Sequence, residues 1–413
     1  MKLLWLNAGL LLPLDKGGKL RTWHVMRHLA RRHDISYLSF EDPGVGEADR
    51  DGMSDVCREL VTVRRSDAEK GTLRFYAGAA RYVVDPLPYA VAKYRSAAYR
   101  TRIETLLRSR RFDAIVCDFL PPAVNLPDDL PCPSVLFTHN VEAEIWRRHA
   151  ENAVNPIARR LLTQQWRRML RFEGSTLARF DRVLAVSDAD RRTFGRLYPG
   201  SLRAPVHVIK TGVDTSYFAP SAESRSRGHL VFTGSMDWLP NEDAMVYFCR
   251  DILPRIREAE ADVTLSIIGR SPTPAVRDLA NQYAGVDVTG RVEDVRPFVR
   301  RGDVYIVPLR IGGGTRLKIF EAMAMGKAVV STTVGAEGLP VTPGTDIAIA
   351  DDPQHFADAV VRLIRDDGAR EGLETRARQL VVERYDWSRV ALDFEDALDA
   401  AGGGSQPAQR AIA

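Results

Sequence analysis

The chain has 413 residues, of which 45% are hydrophobic and 27% are charged, and this is the composition of an ordinary soluble globular protein. Its length exceeds that of one core of usual size, so two domains are expected. No apolar run approaches the ~20 residues of a membrane-spanning helix, so the protein is expected to be soluble or to lie on a membrane without crossing it. The four cysteines form no CxxC pair, which indicates reduced thiols in a cytoplasmic protein.

Charge is unevenly distributed behind a formal net charge of +4. Residues 1–220 contain 35 Lys and Arg against 25 Asp and Glu, a net charge of +10, whereas residues 221–413 contain 23 against 29, a net charge of −6. This asymmetry indicates that the N-terminal half meets something anionic. Nucleic acid is not the expected partner, because the arginines are spread over helices without interleaved exposed aromatic residues.

Short β-branched runs alternate with helical stretches along the whole chain. The opening MKLLWLNAGLLLPL has one charged residue and no small-residue cleavage site, so its first part, LLWLN, is predicted to be a buried strand and not a signal peptide. The other strands predicted in the first half are ISYLSF, LVTV, AIVCDF, SVLFTHN, RVLAVS and VHVIKTG. Those predicted in the second half are LVFTGS, VTLSIIG, VDVTG, VYIVPL, KAVVST and IAIAD.

Near-continuous apolar strands separated by helices predict parallel sheets that are covered on both faces. Two such sets in series predict two doubly wound α/β domains. The polar stretch 219–229 is expected to be a linker between an N-terminal domain, 1–218, and a C-terminal domain, 230–384. The end of the chain, 401–413, is expected to be a disordered tail.

The segment GGGTRLKIFEAMAMG, residues 312–326, places two cations where a helix least favours them. Arg316 and Lys318 fall in the first turn of a predicted helix, whose N-terminal end already carries partial positive charge. A glycine turn lets a ligand approach the unpaired first-turn amides, and added cations make sense if a phosphate group binds there. Glu321 lies one turn after Lys318, where it could pair with that lysine or accept hydrogen bonds from a ribose diol.

The stretch VYIVPLRIGGGTRLKIFEAMAMGKAVVSTTVGAEGL resembles the donor-binding segment of the family-4 retaining glycosyltransferases. That family has the GT-B fold, two Rossmann-like domains facing across a cleft. GG after the first strand, THN in the first domain, GVD before the linker, and IIGR and TGRVED in the second domain extend the resemblance over almost the whole chain. TGSMDWLPNEDA resembles a bacterial subgroup found with exopolysaccharide and exosortase (PEP-CTERM) gene clusters.

The resemblance implies that the second domain binds a nucleotide sugar and that the first domain binds the acceptor. Glu321 would hold the ribose, Arg316 and Lys318 would hold the diphosphate, and the turn at 290–292 would meet the base. A C-terminal helix, about 385–400, is expected to pack back on the first domain. The remaining substrate-binding residues expected are Gly17, Gly18, Asn140, Gly234, Ser235, Arg270, Arg291, Val292, Gly313, Gly314 and Thr315.

Two positions depart from the family pattern. The family usually has two glutamates seven residues apart, and here the first position is Gly313, so recognition of the donor sugar cannot be carried over. The family also often has Arg and Lys after the first strand of the donor domain, whereas this loop reads GSMDWLPN. Arg316 and Lys318 therefore become the cations expected on the diphosphate, and with them no metal or other cofactor is expected.

His139, in FTHNVE, follows a strand of the first domain. The resemblance implies that it contacts the donor sugar or helps the reacting centre, whereas a lone histidine there would be a hydrogen-bonded turn residue. His24, His28 and His33 lie on one predicted helix, but a zinc site also needs carboxylates or thiols nearby and the HExxH pattern is absent, so no metal site is expected there.

The stretch RRLLTQQWRRML predicts a helix with an apolar stripe and a basic face. The stripe contains Leu161, Leu162, Trp166, Met169 and Leu170, and the arginines off it are Arg159, Arg160, Arg167, Arg168 and Arg171. A core-facing helix with a solvated basic face is one interpretation. Peripheral contact with an anionic membrane is the other, because a lipid-linked acceptor would require it.

These features together predict an enzyme, a retaining glycosyltransferase that moves a sugar from a nucleoside diphosphate to a hydroxyl of a lipid-linked or polysaccharide acceptor. Its place would be the cytoplasm or the inner face of the cytoplasmic membrane, in the synthesis of bacterial surface polysaccharide. A GT-B nucleotide-sugar epimerase is one alternative. A non-catalytic protein that binds nucleotide sugar or polysaccharide is the other, and the missing glutamate at Gly313 is its best argument.

Overall fold

Short buried strands and the helices between them organise the structure. A computed structural model describes residues 1–14, 16–64, 85–221, 225–311 and 317–403. All thirteen predicted strands are present in these residues. They are β1 Lys2–Asn7, β2 Asp34–Glu41, β3 Glu59–Arg64, β4 Ala114–Asp118, β5 Ser134–Phe137, β6 Arg182–Ala185, β7 His207–Val208, β8 His229–Thr233, β9 Thr264–Ile268, β10 Val286–Gly290, β11 Val304–Val307, β12 Ala328–Ser331 and β13 Ala348–Ile349.

Helices connect the strands, as parallel pairing requires. In chain order they are α1 Gly17–Leu29, α2 Glu47–Gly52, α3 Tyr89–Ala92, α4 Ala97–Ser109, α5 Glu142–Glu151, α6 Pro156–Leu177, α7 Asp188–Leu197, α8 Leu239–Tyr247, α9 Leu253–Ala259, α10 Pro274–Gln282, α11 Arg296–Arg301, α12 Leu317–Ala324, α13 Pro353–Arg365, α14 Asp367–Arg384 and α15 Trp387–Ala401. Helix α12 is the one predicted after the glycine-rich turn.

The chain divides into two compact units. The first contains Met1–Thr211 together with the chain from Val390 onward, and the second contains Gly212–Arg389. The first unit holds a seven-stranded sheet in the order β3-β2-β1-β4-β5-β6-β7, and the second holds a six-stranded sheet in the order β10-β9-β8-β11-β12-β13. Every neighbouring pair is parallel. The predicted α/β fold with two doubly wound sheets is confirmed.

In each sheet the strand order reverses beside the first strand of that unit. The reversal lies between β1 and β4 in the first sheet and between β8 and β11 in the second. Open parallel sheets bind their ligands beyond the carboxyl ends of the strands at such a reversal. A ligand-binding site is therefore expected at the loops after β1, β4, β8 and β11.

The change of unit lies upstream of the stretch 219–229 that the sequence suggested as a linker. Val213 is buried and belongs to the core of the second unit. Its N–H donates to the Tyr385 carbonyl oxygen at 2.7 Å, and the Trp387 N–H donates to the Val213 carbonyl oxygen at 3.3 Å. These bonds fix the chain to the second unit before the polar stretch begins, a tie between distant residues that local composition does not reveal.

The last helix, α15, packs on the first sheet. The fully buried Phe394 stacks on Trp5 of β1 with 5.4 Å between ring centroids and meets Phe137 of β5 edge-on at 5.2 Å. Glu395 Oε1 lies 3.0 Å from His33 Nε2. The helix thus covers the central strands of the first sheet, although all seven strands of that sheet lie between Lys2 and Val208 in the chain.

Candidate functional site

A buried carboxylate gathers polar side chains at the carboxyl edge of the first sheet. Asp118 is the last residue of β4, next to the reversal of strand order, and it is fully buried. Four side chains reach its two oxygens: Trp5 Nε1 at 3.1 Å, Asn7 Nδ2 at 2.7 Å, Thr22 Oγ1 at 2.7 Å and His139 Nε2 at 2.7 Å. A buried charge is tolerated when donors surround it in this way.

The imidazole of His139 is held by both of its ring nitrogens. Nε2 faces Asp118 Oδ1, and Arg21 Nη1 lies 3.0 Å from Nδ1. A guanidinium can only donate, so Nδ1 accepts and the ring is the neutral tautomer with its proton on Nε2. Burial lowers the pKa of His139, in agreement with a neutral ring. A hydrogen bond from His139 to a sugar would therefore require Arg21 to release Nδ1.

Arg21 is itself a buried cation. Its Nη2 donates to Thr211 Oγ1 at 2.6 Å. Burial lowers its pKa to about 10, although the charges of Asp118 and Asp190 act in the opposite direction. Its Nε atom is buried and has no hydrogen-bond partner within the described part of the chain. The Nε–H group of Arg21 is thus a buried donor without an acceptor among the described residues at this edge of the sheet.

Phe119 and Gly18 shape the space around His139. The ring of Phe119 stacks on the imidazole with 3.9 Å between centroids, and Phe119 has a φ of +69°, in the left-handed region. A Cβ at Gly18 would lie 2.6 Å from Phe119 Cζ, so a larger residue there would have to displace the Phe119 ring from the imidazole. A Cβ at Gly17 would meet no atom within 4 Å, so packing does not demand glycine at this position.

Asn140 follows His139 and is exposed. Burial raises the pKa of Glu142 nearby, and the Asn140 side chain opposes that effect. Helix α5 begins directly afterwards, and a carboxylate from α6 holds its first turn. Glu173 accepts from the N–H groups of Glu142 at 2.8 Å and Ala143 at 3.1 Å and from the hydroxyl of Tyr198. Burial raises the pKa of Glu173 to about 7, although these donors favour the ionised form. The loop that carries His139 is thereby anchored on its far side.

In the second unit, Lys318 lies against the backbone that follows β8. Its Nζ donates to Asn241 Oδ1 at 2.9 Å and lies 4.1 Å from the ring centroid of Phe232. A Cβ at Gly234 would lie 2.9 Å from this Nζ and 2.8 Å from Asn241 Nδ2. Glycine at 234 therefore lets the ammonium group approach the main chain at the carboxyl edge of the second sheet.

The loops after β8, β9 and β10 are joined to one another. Arg270 Nε donates to Ser235 Oγ at 2.6 Å. Gly269 has a φ of +155°, and a Cβ there would lie 1.6 Å from the Gly234 carbonyl oxygen, so the two loops touch through their backbones. The Gly269 N–H donates to the Gly290 carbonyl oxygen at 3.1 Å. The expected residues Gly234, Ser235 and Arg270 are thus brought together.

Arg291 and Val292 directly follow this connection. Arg291 is exposed, whereas Val292 is half-buried and packs on the core of the second unit. Gly290 before them has a φ of +73°, which only glycine adopts readily. The turn leaves backbone groups at the strand end where the sequence expected a base to bind.

Glu321 is a half-buried acid on α12, one turn after Lys318. Burial raises its pKa to about 7, and the nearby Lys318 charge lowers it in part. Within the described residues its carboxylate accepts no hydrogen bond. An acid placed in this way is ready to accept donors from a ligand.

The remaining expected residues Gly313, Gly314, Thr315 and Arg316 lie outside the described residues. The cation that precedes them, Arg310, is engaged elsewhere: its Nε donates to Asp243 at 3.0 Å, and its guanidinium lies 4.2 Å from the ring centroid of Tyr247. Among the described cations of this segment, Lys318 is the one beside Glu321.

Sequence patterns missed four residues that the structure places in these clusters: Arg21, Asp118, Glu173 and Asn241. Asp118 ends the apolar run AIVCD, a weak signal for a buried acid at a strand end. Arg21 is the fifth residue of the helix that follows β1, and Asn241 is the third residue of the helix that follows β8. Their contacts with His139 and Lys318 come from elements 118 and 77 residues away, so no local spacing predicts them.

Metal-ligand clusters and membrane-spanning helices are both absent from the described part of the chain. No group of three or more His, Cys, Asp or Glu side chains there could hold a metal ion. No described helix is both long enough and apolar enough to cross a bilayer.

Comparison with known proteins also matches the chain in two parts. The family model described as Glycosyltransferase Family 4 matches residues 16–217, and the model described as Glycosyl transferases group 1 matches residues 227–366. Fold and domains together define a two-domain α/β enzyme of GT-B type. The chain belongs to the glycosyltransferases of group 1 and family 4.

Individual relatives are more distant. The phosphatidyl-myo-inositol mannosyltransferase of Mycolicibacterium smegmatis is 29% identical over 53% of this chain, and the chain spans only 57% of that protein's length. An uncharacterised 44.6 kDa protein of the cps region of Klebsiella pneumoniae is 19% identical over 92% of this chain and 95% of its own length. The crystal structure of Anabaena Alr3699/HepE in complex with UDP aligns over 97% of this chain and 100% of that one, with a TM-score of 0.64 and 14% identity, a likeness of fold.

Proposed function

We propose that the chain is a retaining glycosyltransferase that moves a sugar from a nucleoside diphosphate to a hydroxyl of a lipid-linked or polysaccharide acceptor. It would work in the cytoplasm or at the inner face of the cytoplasmic membrane, in the synthesis of bacterial surface polysaccharide. The observation that carries the proposal is Glu321, a half-buried acid with a raised pKa, no internal hydrogen bond among the described residues, and Lys318 one turn before it.

The chemistry of a nucleoside diphosphate matches this pair of side chains. A ribose diol offers two hydroxyl donors to the carboxylate of Glu321. The diphosphate offers anionic oxygens to Lys318, to Arg316 and to the first-turn amides of α12. When the bond to the sugar breaks, negative charge grows on the leaving diphosphate, and these groups stabilise it. Protein cations supply this stabilisation, so the proposal includes no metal.

The names of the relatives support three parts of the proposal, namely the donor, the acceptor and the link to polysaccharide. Structures of Anabaena Alr3699/HepE hold UDP and UDP-glucose. The mycolicibacterial relative is named for a lipid acceptor, phosphatidyl-myo-inositol, and the Klebsiella relative belongs to a cps region. Donor, lipid-linked acceptor and surface polysaccharide are carried to this chain on that basis.

In the first unit, we assign the acceptor side of the reaction to the edge formed by Gly17, Gly18, His139 and Asn140. Asp118 and Arg21 fix the orientation and the tautomer of His139. His139 would contact the sugar through Nδ1 only after the hydrogen bond from Arg21 to that atom breaks. The unpaired Nε of Arg21 is a second donor at the same edge. No protein nucleophile is assigned, so retention would come from attack on the face from which the diphosphate departs.

The first test is the melting temperature of the protein with UDP, GDP, ADP and dTDP in parallel, for the parent and for Glu321→Ala. A ligand at 100 times its Kd stabilises the native state by ~2.7 kcal/mol, which a melting scan resolves. We expect one nucleotide to raise the melting temperature of the parent and to have little effect on the variant. Glu242→Ala, an acid in the first turn of the neighbouring α8, is the matched control and should keep the response.

Turnover provides the second readout. Glu321→Ala and Lys318→Ala should each lower turnover at least tenfold, equivalent to ~1.4 kcal/mol of transition-state stabilisation, while the fold is retained. A folded parent that responds to none of the nucleotides, or near-normal turnover in both variants, contradicts the donor site.

The same assay separates the alternatives. A transferase releases nucleoside diphosphate only when acceptor is present. An epimerase converts the nucleotide sugar without acceptor, and a binding protein shows the thermal shift with no product. The glycosyltransferase families matched over most of the chain favour the first outcome.

A further inference from the structure

The helical hairpin of α5 and α6 exposes aliphatic side chains that neither the core nor the candidate site uses. Val154, in the turn between the two helices, is 95% exposed, Ile157 is 73% exposed and Leu161 is 47% exposed. Ile157 and Leu161 are four residues apart on α6 and therefore lie on one face of that helix. Large aliphatic side chains grouped at the surface mark a binding site more often than single ones do.

The apolar stripe predicted from the sequence divides between the core and the surface, and Leu161 is its exposed member. Met169 is buried in the core of the first unit, and Trp166 and Leu170 pack against it. Arg168, expected on the basic face, is buried. The later part of the stripe, from Trp166 to Leu170, therefore holds α6 on the unit and cannot also serve a partner. Ile157 and Leu161, nearer the start of the helix, form a separate exposed apolar surface.

Strong positive charge accompanies the exposed aliphatic residues. Residues 152–172 contain five arginines and no acid. Arg160 and Arg167 are exposed and seven residues apart, so they share a side of α6 that adjoins Ile157 and Leu161. We call Val154, Ile157, Arg160, Leu161 and Arg167 the α6 patch. Apolar side chains flanked by arginines are the pattern of a helix that lies in a membrane interface.

The α6 patch lies at the same edge of the first sheet as His139. The end of α6 returns to the amino edge, where the Asp181 carboxylate accepts from the Ser134 N–H at the start of β5. Helix α6 has 22 residues and is about 33 Å long, whereas the four residues of β5 span about 13 Å. The start of α6 therefore reaches the carboxyl edge of the sheet and projects beyond it.

We propose that the α6 patch binds the surface of an anionic lipid bilayer. Val154, Ile157 and Leu161 enter the headgroup region, and Arg160 and Arg167 lie against lipid phosphates. A basic residue close to an anionic surface adds ~1 kcal/mol, which is about fivefold in affinity. The proposal rests on the proposed function in that it supplies the surface on which a lipid-linked acceptor would be met, but binding to lipid requires neither donor nor acceptor.

The test is co-sedimentation of the full chain with vesicles of phosphatidylcholine and with vesicles in which part of that lipid is replaced by phosphatidylglycerol. We expect binding to the anionic vesicles only. Ile157→Ser with Leu161→Ser should abolish it, and Arg160→Glu with Arg167→Glu should weaken it at least twentyfold, because both attractions are lost and acids are added. Arg31→Glu with Arg102→Glu, two exposed arginines elsewhere on the same unit, makes the same change of charge and should keep most of the binding.

Melting temperatures of all variants establish that each is folded, and the nucleotide response of each tests the donor site separately. Loss of vesicle binding with an intact nucleotide response supports the α6 patch. Failure of the parent to bind anionic vesicles, equal binding to both lipids, or equal loss in the Arg31 and Arg102 control overturns the proposal. So does a change from dimer to monomer in the Ile157 and Leu161 variant, which would assign the patch to a second copy of the chain.

Discussion

The protonation of His139 depends on two side chains that the chain brings to it from different elements. Asp118 accepts from Nε2 and would favour an imidazolium, whereas Arg21 donates to Nδ1 and forbids one. Burial lowers the pKa of His139, the charge of Asp118 offsets part of that effect, and Arg21 lowers the pKa further. The ring is therefore neutral because burial and Arg21 together outweigh the carboxylate.

Arg21→Met should make His139 titratable. The pKa of the folded-state histidine lies below its unfolded value of about 6.5, so the unfolded state binds more protons in acid and stability falls as the pH drops below about 6.5. Without the guanidinium the pKa of His139 rises, and the variant loses less stability than the parent over that window. Nuclear magnetic resonance titration of the His139 ring measures the shift directly. An unchanged or lower pKa in the variant would contradict this account, and Arg27→Met, on the same helix but more exposed, is the control.

At the residue scale, the sequence indicated candidate site residues only where a motif contained them. The motifs THN and TRLKIFEAMAMG singled out His139, Lys318 and Glu321. The motifs could not indicate Asp118 or Arg21, because their roles arise from the register of β1 beside β4 and from the position of α1, which no short spacing encodes. Whether these residues act in catalysis stays a prediction.

Among the elements, helix α15 is divided between the two units. It begins at Trp387 in the second unit, and from Val390 onward it belongs to the first. Its Phe394 ring fills the space between Trp5 and Phe137 on the first sheet. The helix is thus part of a core formed mainly by residues that precede it by more than 200 positions.

Phe394→Ala should destabilise the first unit and leave the second nearly unchanged. Truncation of a buried phenylalanine costs ~3–5 kcal/mol because both burial and contacts are lost. Phe356→Ala removes a comparably buried ring from the second unit, where it meets Phe248 edge-on at 6.1 Å, and should have the reverse effect. Hydrogen exchange followed by mass spectrometry reports each unit separately. Equal loss of protection in both units from either variant would refute this division.

The strands were the elements best predicted from the sequence, because central parallel strands are near-continuous apolar runs. Strand β1 is buried over five of its six residues. The bounds of the units were harder to predict. The bonds that attach Val213 to Tyr385 and Trp387 join residues about 170 positions apart, so a polar stretch further along looked like the natural boundary.

At the scale of the whole molecule, two separate cores imply two separate stabilities. Each unit has its own hydrophobic cluster, one around the first sheet and one around the second. Proteins with several cores often depart from a single cooperative transition. The residues expected to hold the nucleotide, Gly234, Lys318 and Glu321 among them, all belong to the second unit.

Calorimetry should resolve two unfolding transitions, only one of which responds directly to nucleotide. A saturating nucleoside diphosphate stabilises the unit that binds it, by ~2.7 kcal/mol at 100 times its Kd, and should raise the transition of the second unit. Phe394→Ala identifies the other transition by lowering it. A single transition that nucleotide and Phe394→Ala move together would show instead that the two units unfold as one.

The return of α15 to the first sheet also has a consequence for synthesis of the chain. Trp5 leaves the ribosome early, and Phe394, the ring that covers it, is made about 390 residues later. At ~5–20 residues per second this delay is about 20–80 s. The second unit lies wholly within that interval and has all of its residues before the first does. The whole second unit is therefore synthesised while the hydrophobic face of β1 is uncovered, and over that interval a chaperone can bind that face.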